Sequence, residues 1–86
     1  MLNQEDAEKF KIAKRLYNKA EQLFAKKKYK KAEKSFYDCL EKFPKYATAN
    51  YFLARILYDR TDYDRALKHI LKAKENYKFI ADLGVS

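Results

Sequence analysis

Few side chains in this sequence are of a type that does covalent chemistry, and their surroundings argue against it. His69 is the only histidine. It lies two turns after Asp62, between Lys68 and Ile70, and its expected state is exposed and solvated. Cys39 is the only cysteine. It follows Phe36 at helical spacing in a slot for a small residue, where a thiol acts as an inert small hydrophobe. A nucleophile there would need an exposed position and a base within hydrogen-bond reach, and the sequence suggests neither. Asp59, Asp62 and Asp64 gather at one junction between helical stretches; capping accounts for Asp62 and solvation for the other two. No paired Cys/His spacing suits a metal, and no glycine-rich loop suits a phosphate. The expectation is a chain with no catalytic residue, no metal and no cofactor.

What the sequence carries instead is aromatic and basic, and it is repeated. Tyr29-Lys30-Lys31-Ala32 returns as Tyr63-Asp64-Arg65-Ala66, 34 residues later. At the same offset Ala13 meets Ala47, Tyr17 meets Tyr51, Ala20 meets Ala54, Leu23 meets Leu57, Lys34 meets Lys68 and Glu41 meets Glu75. Softer matches fill the gaps: Phe24 with Tyr58, Phe36 with Ile70, Cys39 with Ala73 and Phe43 with Tyr77. A fixed period of this length marks stacked supersecondary units.

Residues 13–46 and 47–80 resemble two tetratricopeptide repeats, which are helix–turn–helix units of this length. The family's small residue in the first helix corresponds to Ala20 and Ala54, and its Tyr-then-Ala at the start of the second helix to Tyr29/Ala32 and Tyr63/Ala66. Phe36/Cys39 and Ile70/Ala73 fit the large-then-small pair further on, and Pro44 stands where a repeat closes. The resemblance implies an all-α fold of about four antiparallel helices in a right-handed solenoid. It also implies an N-terminal helical extension over 1–12 and a tail over 81–86. The chain departs from the family pattern in several slots. The early aromatic of the first helix is Leu16 and then Asn50, Lys19 stands where Leu is usual, the turn glycine is Lys27 and then Thr61, and the second closing proline is Lys78.

Composition agrees with one small helical domain. The chain has 86 residues, with one Gly and one Pro, too few for the turns of a sheet protein. Aromatics at 16% argue against disorder despite the many charges. There is no apolar run long enough for a membrane span and no basic-then-apolar signal segment at Met1–Asp6. A single cysteine cannot form an internal disulfide, so a reducing, intracellular and cytoplasmic setting is the simplest reading. The net charge of +8 favours acidic partners.

Read in order, Asn3 is a candidate N-cap with Glu5 and Asp6 in the first turn. Phe10, Ala13, Leu16/Tyr17, Ala20 and Leu23/Phe24 then share one helical face. A turn at Lys26–Lys28 leads to a second helix carrying Tyr29, Ala32, Phe36, Cys39/Leu40 and Phe43, stopped by Pro44. A third helix is expected from about Ala47 to Arg60. A fourth, capped by Asp62, carries Tyr63, Ala66/Leu67, Ile70, Ala73 and Tyr77 on its apolar stripe.

Three surfaces are candidates for function. In tetratricopeptide proteins the first helix of each repeat lines a concave groove that holds a peptide. By register those residues here are Lys14, Tyr17, Asn18, Glu21 and Phe24, then Thr48, Tyr51, Phe52, Arg55 and Tyr58. Tyr and Arg are enriched at binding hot spots; alternatively Tyr17, Tyr51 and Phe24 pack internally and leave Phe52, Arg55 and Tyr58 outside. The carboxylate clamp of chaperone-binding relatives is not matched: its slots fall on Tyr17, Glu21 and Phe52, and Glu21 would repel a carboxylate. The second surface is the basic patch Lys26, Lys27, Lys28, Lys30, Lys31 and Lys34, which suits an acidic protein, an anionic membrane or simply water. Nucleic acid is disfavoured there, because Tyr29 alone supplies stacking. The third is an apolar tail of Phe79, Ile80, Leu83 and Val85, which either folds back or forms a self-interface in a homodimer.

The reading that follows is a protein–protein interaction scaffold, not an enzyme, that holds an apolar or aromatic partner segment of acidic character. The alternatives are a self-assembly module and a basic adaptor for RNA or anionic membrane.

Overall fold

The computed structural model describes residues 3–82, with side chains described through residue 77. It contains four helices: α1 (Gln4–Ala25), α2 (Tyr29–Lys42), α3 (Ala47–Asp59) and α4 (Tyr63–Asp82). No strand occurs among the described residues. The chain divides into two compact units, Met1–Pro44 and Lys45–Ser86. Each is a helical hairpin, with α1 packed on α2 in the first and α3 on α4 in the second.

In the first hairpin, α1 starts as the capping chemistry predicts. Asn3 is extended (φ −75°, ψ 174°), and its Oδ1 accepts the Asp6 N–H at 2.8 Å. Glu5 and Asp6 place negative charge at the positive end of the helix dipole. The extension ahead of residue 13 carries Phe10, whose ring meets Phe43 edge-on at 5.0 Å. Ala13, Tyr17 and Ala20 form the buried stripe of α1; Ala32, Phe36 and Cys39 form that of α2. Phe36 is fully enclosed, a burial worth about 3 kcal/mol. The α2 helix ends at Lys42. Phe43 has left helical geometry (φ −145°, ψ 88°), as a residue before proline must.

In the second hairpin the core is Tyr46, Ala47, Ala49, Leu53, Ile56 and Leu57, with Ala54, Ala66 and Ala73 also buried. Asn50 is buried among them. Asp62 serves as the α4 N-cap, though weakly: its Oδ1 accepts the Arg65 N–H at 3.5 Å, while Oδ2 pairs with the Arg65 guanidinium at 3.2 Å.

The two interhelical turns are built alike, 34 residues apart. The Lys28 N–H donates to the Leu23 carbonyl and the Lys27 N–H to that of Phe24; Asp62 and Thr61 donate in the same way to Leu57 and Tyr58, all at 2.9 Å. This is the Schellman closure of a helix C-terminus, which needs a left-handed residue just past the cap. Lys27 (φ 62°) and Thr61 (φ 63°) take that conformation, at a cost of about 1 kcal/mol each relative to glycine. The missing turn glycines thus change the strain of the turn and not its path.

Phe79 and Ile80 lie within the span of α4, but their side chains, like all of Leu83 and Val85, lie outside the described residues.

Candidate functional site

The residues with chemical potential resolve first. Cys39 is buried, and burial pushes its thiol up to about 12, so it stays protonated at neutral pH and is no nucleophile. His69 differs from the expectation of a solvated side chain. It is half-buried, and its Nδ1 lies 2.8 Å from the Asn50 Oδ1. The Asn50 amide donates through Nδ2 to the Tyr46 carbonyl at 3.4 Å, which leaves Oδ1 to accept from His69 Nδ1–H. Burial, then Lys72, Arg65 and Lys68, hold the imidazole below its usual value. The pair is therefore a neutral polar link between α3 and α4, filling a slot where the repeat pattern calls for an aromatic. Sequence reasoning had both ends of it, Asn50 as a departure and His69 as a lone histidine, but nothing in their spacing joined them. Among the described residues no group of His, Cys, Asp and Glu is placed to hold a metal ion.

The residues expected to line a groove fall into distinct environments. In the first hairpin Tyr17 is buried; its ring lies 5.9 Å from that of Phe36, and its hydroxyl donates to Glu21 Oε2 at 3.0 Å. Phe24 is half-buried and meets Tyr29 edge-on at 5.2 Å. Lys14, Asn18 and Glu21 are exposed. In the second hairpin Tyr51, Arg55 and Tyr58 are exposed along one side of α3, with Thr48 and Phe52 half-buried beside them. Tyr51 meets Phe52 edge-on at 5.7 Å, and Tyr58 meets Tyr63 of α4 at 5.2 Å.

The exposed aromatics of α3 do not stand alone. Leu67, Ile70 and Tyr77 on α4 are also exposed, although helical spacing marks them as core. Register makes the contrast plain. Tyr17 is 7% exposed and its counterpart Tyr51 48%; Phe36 is 0% and Ile70 38%; Phe43 is 8% and Tyr77 65%. The stripe is present in both hairpins and open in the second. A cleft of about 600 Å³ runs along Tyr51, Arg55, Tyr58, Leu67 and Ile70. A second, of about 560 Å³, continues from Tyr51 and Ile70 to Thr48, Lys74 and Tyr77. These α4 residues were missed as a surface because a periodic stripe reads the same whether or not something covers it.

Lys26, Lys27, Lys28, Lys30, Lys31 and Lys34 are all exposed at the first interhelical turn. Lys28 caps α2 without a side-chain hydrogen bond, and no acidic residue occupies the first turn of that helix. Within the cluster Lys34 pairs with Asp38 at 3.2 Å. Positive charge at a helix N-terminus opposes the dipole, so the patch does not stabilise α2. Among the described residues no helix is long and apolar enough to cross a membrane.

A family model described as Tetratricopeptide repeat matches residues 23–79. No curated protein and no solved structure matches the chain.

Proposed function

This chain belongs to the tetratricopeptide repeat family, whose repeats are typically non-catalytic interaction modules, and from that premise we propose that it is a scaffold that captures a segment of a partner protein. The observation that carries the proposal is the exposed aromatic side of α3, where Tyr51 and Tyr58 flank Arg55. Contiguous exposed apolar surface rimmed by polar groups marks interaction sites, and Tyr and Arg are enriched among the few residues that carry most binding energy. The captured segment is apolar or aromatic, because those are the groups that displace water from tyrosine faces. It carries acidic residues, because the chain is strongly basic and the lysine turn attracts negative charge from a distance.

The test is a random peptide library panned against the folded chain, followed by titration of the enriched sequences. Apolar, acidic sequences are expected, and Phe52→Ala combined with Tyr58→Ala is expected to abolish their binding. Binding that survives both substitutions removes α3 from the site. Affinity that collapses between about 0.1 and 1 M salt would instead place recognition on the lysine turn and favour a basic adaptor.

A further inference from the structure

We propose that the trough between α3 and α4 takes one amphipathic helix of a partner protein, apolar along one stripe and acidic at its flanks. This rests on the reading of the chain as a capture scaffold and names the occupant. The two clefts share Tyr51 and Ile70 as lining residues, so they form one continuous trough along the hairpin. Its floor holds the small residues Ala54, Ala66 and Ala73, all buried. Its walls are the large exposed side chains Tyr51, Tyr58, Leu67 and Tyr77. Small residues below and large ones beside are what lets a third helix approach to about 8–10 Å and seat its ridge in the groove between two others. From Thr48 to Tyr58 the trough runs about 15 Å, roughly three helical turns. A strand is a poor occupant, because no strand edge exists among the described residues for it to pair with.

Charge decides whose helix it is. Arg55 lines one of the two clefts and Lys74 the other, against one lining carboxylate, Asp64. The chain as a whole carries +8. The α1 helix exposes Lys11, Lys14, Arg15 and Lys19, so α1 of a second copy would bring lysine and arginine to an apolar, positively rimmed trough. A helix with leucines or aromatics at i, i+3/i+4 and i+7 and glutamates beside them matches both features.

The probe is a synthetic, side-chain-stapled peptide of about four turns with that pattern, titrated by fluorescence anisotropy and mapped by backbone amide shifts. Binding should shift α3 and α4 amides and weaken at least about tenfold with Leu67→Ser or Tyr77→Ser. Both residues are exposed, so the fold should tolerate the changes. Ile12→Ser, on the exposed side of α1, should leave binding unchanged, and a lysine-flanked version of the peptide should bind more weakly. Three results overturn the proposal: affinity insensitive to Leu67→Ser and Tyr77→Ser, equal binding by a proline-broken peptide, or a salt-resistant dimer by light scattering that Leu67→Ser dissociates. Library ligands lost on Tyr58→Ala but indifferent to Leu67→Ser would remove the trough and leave capture standing. A library with no ligand at all would remove capture itself.

Discussion

The two hairpins share a period, a turn and a stripe of apolar positions, yet one has that stripe enclosed and the other has it open. Tyr17, Phe36 and Phe43 are buried, whereas Tyr51, Ile70 and Tyr77, their counterparts 34 residues on, are not. The turns diverge as well. The first is a run of lysines with no side-chain cap on the helix that follows, and the second has Asp62 capping α4 and pairing with Arg65. The polar link of Asn50 and His69 in the second hairpin replaces Leu16 and Ser35 of the first. Repetition therefore specifies a backbone and a packing seam. The copies differ in what they leave outside: apolar surface on the second hairpin and basic charge on the first. A repeat cannot bury its own outer stripe and depends on a neighbour to do so, which is why the open stripe of the second hairpin supports the capture reading.

The comparison breaks most severely at the small residues the hairpins have in common. Ala66→Glu forces a carboxylate into a buried site on the α4 seam, an uncompensated charge that costs about 3–5 kcal/mol. Against a marginal stability of about 5 kcal/mol for a domain this small, the second hairpin should lose its helical signal at 37 °C by circular dichroism. A fully helical variant at that temperature would mean the register is wrong.

Next in size is the matched pair Phe36→Ala and Ile70→Ala. Both occupy the same slot of the repeat, but Phe36 is enclosed and Ile70 partly open. The first should cost about 3–5 kcal/mol and the second about 1–2 kcal/mol, measured by urea unfolding. Equal losses would show that the stripe of the second hairpin is covered in solution, for instance by self-association.

Much of this was legible in the sequence, for physical reasons. The period of 34 gave both hairpins, since the same apolar spacing recurs wherever the same seam must form. Asn3 and Pro44 gave helix ends because capping and the loss of an N–H act locally. Lys27 and Thr61 stood out as missing glycines, and they are the two left-handed residues. The link between Asn50 and His69 was not legible, because it depends on how α3 and α4 face each other and not on any local pattern. Nor was the openness of Leu67, Ile70 and Tyr77, because periodicity reports which face is apolar and says nothing of what covers it.

A smaller effect tests the shared turn. Thr61→Gly and Lys27→Gly remove a side chain from a left-handed position, and each should stabilise by up to about 1 kcal/mol, after allowing for the extra freedom of glycine in the unfolded chain. Thr61 should gain more, because a branched Cβ fits that region worst. Destabilisation by either change, seen as a lower urea midpoint, would show that the turn is held by contacts of the side chain and not merely endured by the backbone.

The smallest expected effect is a pH dependence that only the second hairpin should show. In the folded chain His69 is held below its ordinary value by burial and by the nearby Lys72, Arg65 and Lys68, whereas in the unfolded chain it titrates near 6.5. The unfolded state therefore binds the proton more readily. The stability this group contributes is fully present above about pH 6.5 and is lost as the pH falls from there through the folded value. The hydrogen bond itself is not what fails, because Nδ1–H continues to donate to Asn50 when Nε2 takes up a proton. What is lost is the neutrality of an imidazole that is half-buried and surrounded by cations. Urea unfolding followed from pH 7.5 to about 5 should show this loss in the parent chain, and His69→Gln, which keeps a donor for Asn50, should flatten the profile over that range. An unchanged slope in that variant would assign the acid sensitivity to another group and leave His69 as a packing residue alone.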